Sequence, residues 1–88
     1  MKLNKDFKLT VVAGEGLLVK AGGRHVDLTT VYNLNEPAAW LFQQIGDRDF
    51  EADDLVPELC SEFDVDEETA RKDIIGMIDD WKGYGIIL

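Results

Sequence analysis

Eighty-eight residues with 18 acidic and 9 basic side chains, a formal net charge of −9, make one domain over 1–88 with no room for a second core. Hydrophobic residues at 45% and charged residues at 31% describe a folded globular chain and exclude extended disorder. The acid excess repels nucleic acid and anionic lipid, which leaves proteins or peptides as partners.

The charge is uneven along the chain. Residues 1–34 hold five basic and three acidic side chains, and residues 35–88 hold four basic and fifteen acidic ones, so the second part carries −11. One cysteine, Cys60, excludes an internal disulfide and suits a reducing compartment. No apolar run approaches the roughly 20 residues that span a bilayer, and the first residues have no signal-peptide core. The expected setting is the cytoplasm, with no membrane partner.

The first 34 residues predict strands. Phe7 to Val12 is β-rich, and Ala13-Gly14-Glu15-Gly16 supplies a turn. Leu17 to Ala21 is a second short apolar run, closed by Gly22-Gly23. A third strand runs from about His25 to Leu34. Val26, Leu28, Thr30, Tyr32 and Leu34 share one face by alternation, and Asp27, Thr29, Val31 and Asn33 share the other. Two tight turns predict an antiparallel meander.

Helices follow. Asn35 is a suitable N-cap, and Pro37 is tolerated in the first turn of a helix reaching about Ile45, with Ala38, Leu41, Phe42 and Ile45 as its apolar stripe. A second helix lies within Ala52 to Phe63, and Pro57 must either sit near its first turn or bend it. Asp66 caps a third helix that is expected to stop at Gly83, with Ala70, Ile74, Met77, Ile78 and Trp81 on one stripe. The apolar tail Ile86-Ile87-Leu88 is expected to pack back on the body. The fold class is α+β and winged-helix-like: a three-stranded antiparallel sheet followed by three helices that cover its apolar face.

The inventory argues against catalysis. His25 follows a Gly-Gly turn and reads as solvated, while Cys60 lies on an apolar stripe and reads as a small buried hydrophobe. Asp53-Asp54 and Asp79-Asp80 are adjacent pairs that diverge by about 100° on a helix, so neither gathers metal ligands. Neither catalytic residues nor a metal or cofactor are expected. A winged-helix layout raises DNA binding as an alternative, but the last helix opposes Arg71, Lys72 and Lys82 with six acids, which a polyanion disfavours.

The third strand ends the meander, so one sheet edge is open, either blunted or a place where a peptide adds as a strand. On the last helix Arg71, Ile75, Ile78 and Lys82 form one flank at 100° per residue. Two readings of that flank stand together. It walls a groove for an amphipathic, partly acidic peptide, or Ile75 and Ile78 complete the core while Arg71 and Lys82 are solvated. A dimerisation module using the same edge is a further alternative, so a homodimer is possible on this reading.

Leu34-Asn35-Glu36, Asp54-Leu55-Val56 with Leu59, Asp64-Val65-Asp66 and Gly85-Ile86-Ile87 occur in order over about 26–88. This ordered set resembles the family of pyrroloquinoline quinone biosynthesis protein D. Pro37, Trp40 and Pro57 depart from the family pattern. The resemblance implies a non-catalytic recognition element for the leader peptide of a ribosomally made precursor peptide. It also implies delivery of that peptide to a modifying enzyme: a radical S-adenosylmethionine enzyme, a protease or a cyclase. The implied groove comprises Val26, Asp27, Leu28, Thr29, Thr30, Val31 and Tyr32 on the third strand. Arg71, Lys72, Ile75 and Ile78 face them, with Lys82 as a further basic contact.

Overall fold

The computed structural model describes residues 1–20 and 27–88, with the backbone alone over 27–30. The Gly22-Gly23 turn, His25 and Val26 lie outside the described residues. The elements are β1 (Phe7–Val12), β2 (Glu15–Lys20), β3 (Asp27–Leu34), α1 (Glu36–Ile45), α2 (Ala52–Glu62) and α3 (Glu67–Tyr84). The sheet is antiparallel in the order β1-β2-β3, so β2 is central, and the architecture is α+β as expected.

The first hairpin pairs Val12 with Glu15, leaving Ala13 and Gly14 as a two-residue turn with both φ values positive, 54° and 83°. That is the turn type whose twist matches paired strands. Gly16, expected in the turn, instead belongs to β2. A Cβ there would lie 2.9 Å from the Ala39 Cβ and 2.8 Å from Leu9 Cδ1. Glycine at this position therefore lets α1 cross close to the sheet. The inner sheet face aligns Leu9, Leu18 and Tyr32 in one row and Gly16 and Leu34 in the next.

The third strand departs from uniform alternation. Val19 pairs with Val31, yet the next residue, Lys20, pairs with Asp27. The regular ladder is thus confined to Val31–Leu34, and residues 28–30 form an irregularity of the kind that bends edge strands. No glycine marks the spot, so the Thr and Val alternation concealed it.

Asn35 Oδ1 accepts the Ala38 N–H at 3.0 Å and caps α1, with Pro37 in the first turn. Ala39, Leu41 and Ile45 are the buried residues of α1, so Ala39 rather than Ala38 sits at the centre of the stripe. A reciprocal box between Glu51 and Asp54 opens α2, which carries Pro57 in its interior. Arg48 donates to the Glu58 carboxylate at 2.6 and 2.8 Å, tying the α1–α2 loop to α2. Asp66 Oδ1 accepts the Thr69 N–H at 2.8 Å at the start of α3.

At its other end α3 continues past Gly83 to Tyr84. Gly85 ends it in the left-handed region, with the Gly85 N–H on the Lys82 carbonyl and the Ile86 N–H on the Trp81 carbonyl. This crossed pair satisfies two terminal carbonyls and directs Ile86 into the core. The tail then pairs with the first residues through a Leu3–Ile87 bridge, and the Asn4 N–H reaches the Ile86 carbonyl at 2.7 Å. Phe7, Leu18, Leu34, Leu41, Phe50, Leu55, Leu59, Ile74 and Trp81 are among the buried residues that fill the space between sheet and helices.

Two outcomes test this account. Gly16→Ala should cost about 1–3 kcal/mol by overpacking, and Ala39→Gly on that background should recover part of the loss in a double-mutant cycle read by urea unfolding. The second concerns Asp66, whose carboxyl is held below the ordinary aspartate value by its hydrogen bonds to Thr69. A depressed folded value means stability that is present above the unfolded value and lost as pH falls through the folded one. Thermal melting from about pH 4 down to pH 2 should therefore fall less steeply for Asp66→Asn than for the parent.

Candidate peptide groove

Burial fixes the rotation of α3. Ala70, Ile74, Ile78 and Trp81 point into the core, which turns Asp73, Gly76, Met77, Asp80 and Tyr84 toward β3. A groove of about 700 Å³ results, bounded by Val31–Leu34 of β3, by Asn35, Pro37 and Ala38 at the start of α1, and by this side of α3. Leu41, Leu59, Phe63, Val65 and Trp81 make its apolar floor.

Aromatic pairs brace the surround. Tyr84 stacks on Tyr32 at 4.4 Å between ring centroids, and Tyr32 leans on Phe7 at 6.2 Å. The C-terminal end of α3 is thereby joined to β3. On the floor Phe42 meets Trp81 edge-on at 5.8 Å, and Trp40 meets Phe63 at the same distance.

The sequence-derived residues are only partly brought together. Val31, Tyr32 and Lys72 line the groove. Asp27, Leu28, Thr29 and Thr30 lie on β3 beyond its regular ladder. Ile78 is in the core at 5% exposure, and Ile75, at 48%, lies on the far side of the stripe with Arg71 and Lys82. Arg71 instead forms ion pairs with Asp53 and with Glu67, the latter at 3.5 Å, and lines a separate hollow with Val56, Pro57 and Cys60. The hydrogen bond that Arg71 donates to the Asp53 carboxylate is the main reason its guanidinium pKa is raised above the ordinary value. The chosen flank is therefore the one facing away from β3. Both flanks border the same apolar stripe, and helical periodicity alone does not say which of them the sheet edge meets.

Asn33, Asp73, Gly76, Met77, Asp80 and Tyr84 also line the groove, a role the sequence reading assigns to none of them. Met77 offered a signal, because its breadth on the stripe exceeds what the core takes up: it is half-buried, whereas Ile74 is fully buried. Placing Tyr84 required knowing that the helix runs through Gly83. The edge of β3 remote from β2 pairs with no other strand among the described residues. Also among the described residues, no cluster of three or more His, Cys, Asp or Glu side chains has metal-binding geometry, and no helix is long and apolar enough to cross a membrane.

With this geometry in view, the comparisons with known proteins are specific. The family model described as coenzyme PQQ synthesis protein D matches residues 19–87, and the chain belongs to that family. Among solved structures it resembles TbiB1 in complex with the TbiA(beta) leader peptide, with a TM-score of 0.75 and 18% identity over 99% of this chain and 94% of that one. At that identity the likeness establishes the shared fold. No curated protein matches the chain.

Gly76 and Gly83 both lie within α3, and a Cβ added at either meets nothing within 4 Å. Gly76→Ala and Gly83→Ala should each stabilise the protein by up to about 1 kcal/mol through helix propensity. Chemical denaturation of the two single variants measures this, and a loss of stability at either would contradict the open space beside it.

Proposed function

We propose that residues 1–88 act as one non-catalytic peptide-recognition unit. It takes the leader segment of a ribosomally made precursor peptide as an added strand on β3, against α3. It then presents that peptide to a modifying enzyme, of which a radical S-adenosylmethionine enzyme, a protease and a cyclase are the expected kinds. The observation that carries this reading is the edge of β3 that pairs with no other strand among the described residues, directly beside a groove with an apolar floor. Membership of the coenzyme PQQ synthesis protein D family supports it, as does the shared fold with TbiB1, which was solved with a leader peptide.

The physics of capture follows from the groove. Backbone N–H and C=O groups on the free edge of β3 give affinity that depends little on peptide sequence. The floor around Phe63, Met77 and Trp81 rewards apolar side chains on the face of the peptide turned toward it. Ordering a flexible leader costs roughly 2–5 kcal/mol, so strand pairing and side-chain anchoring must act together. The irregularity over residues 28–30 leaves Val31–Asn33 as the regular stretch on which an added strand keeps register.

A synthetic leader segment of a cognate precursor peptide provides the test. In nuclear magnetic resonance titration, shifts should concentrate at Val31–Asn33, Lys72, Gly76 and Met77. Gly76→Trp fills the groove from an open position and should abolish binding, whereas Gly83→Trp, outside the groove lining, should leave it intact. Equal binding by parent and Gly76→Trp would overturn the assignment.

A further inference from the structure

Resting on the reading that a peptide strand occupies the groove, we propose that this chain selects peptides in which an apolar anchor is flanked by basic side chains. Asp73 and Asp80 are the residues that read the charge. This is the opposite of the acidic peptide that Arg71, Lys72 and Lys82 suggested from the sequence.

The argument begins with which charges face the groove. Among the described residues its charged lining consists of Lys72, Asp73 and Asp80. Arg71 is turned away and held by Asp53 and Glu67, and Lys82 is not in the lining. Asp73 and Asp80 are exposed and make no ion pair among the described residues, so their charge is available to an occupant. Both lie in the part of the chain that carries fifteen acids against four bases. Such a field draws cationic segments toward the groove and disfavours acidic ones.

Spacing makes the preference more specific. Seven helical residues place the two carboxylates about 10.5 Å apart along α3. In an extended peptide at about 3.3 Å per residue, side chains at i, i+2 and i+4 face one way and span about 13 Å. An apolar residue at i+2 then sits over the floor of Phe63, Met77 and Trp81, and flexible Lys or Arg stems at i and i+4 close the small remaining difference. Lys72 adjoins Asp73 in the lining and offsets part of its charge, so the preference for a basic side chain should be stronger at the Asp80 end.

The probe is a library of displayed random dodecapeptides selected on the intact protein. Expected winners carry Lys or Arg on either side of an aromatic or aliphatic residue and fail to bind Gly76→Trp. Asp73→Lys with Asp80→Lys should weaken a synthetic winner by about tenfold and favour its Glu-substituted counterpart instead. Asp73→Asn with Asp80→Asn should weaken the same winner without creating the reversed preference, and circular dichroism verifies that all variants are folded. Winners that need an open Gly76 but show no basic bias, or that ignore the charge reversal, overturn the charge assignment and leave the groove standing. Winners indifferent to Gly76→Trp, or no winners at all, overturn this inference together with the groove itself.

Discussion

The burial of one stripe of α3 sets everything around the groove. Ala70, Ile74, Ile78 and Trp81 are each 5% exposed or less. Turning the helix by a single residue would bring Trp81 and Ile74 toward solvent, at roughly 1.5–3 kcal/mol for each large apolar side chain. No surface ion pair on the opposite flank offsets that, because exposed pairs contribute only about 0–1 kcal/mol. The side of α3 that meets β3 is consequently decided by apolar packing, and the charged residues take whichever flank remains to them.

Much of this arrangement was legible beforehand. Asn35, Asp66 and the alternation through Tyr32 and Leu34 declare their roles locally, since caps and strand faces depend on near neighbours in the chain. Gly16 did not, because its reason is Ala39, a residue twenty-three positions away that crosses above it. Gly83 misled for a similar reason. A glycine inside a helix and one that ends it look alike until Gly85 is seen to complete the terminal hydrogen bonds with Ile86. The open edge was foreseeable from a three-strand meander, whereas the groove's side chains depended on a rotation about the helix axis that only tertiary packing fixes.

The edge strand combines invitation with restraint. Its ladder is regular over Val31–Leu34 and breaks register between Asp27 and Val31. Irregularities of this kind limit indiscriminate pairing between edges. A short regular stretch beside a shaped floor discriminates better than a long uniform edge, because backbone pairing alone accepts any extended chain. The Tyr32–Tyr84 stack adds to this by tying the strand to the end of the opposing helix.

The two glycines of α3 carry a cost of a different kind. A helix that gives up side chains at Gly76 and Gly83 forgoes intrinsic helicity and relies on its buried stripe and its closed C-terminus to stay formed. At Gly76 the missing side chain is also the width of the groove. Stability and capacity are therefore set against each other at one position, and a more robust version of this helix would be a narrower receptor. An occupant that spanned β3 and α3 would offset this cost by linkage, stabilising the protein by an amount that grows with the occupant's concentration.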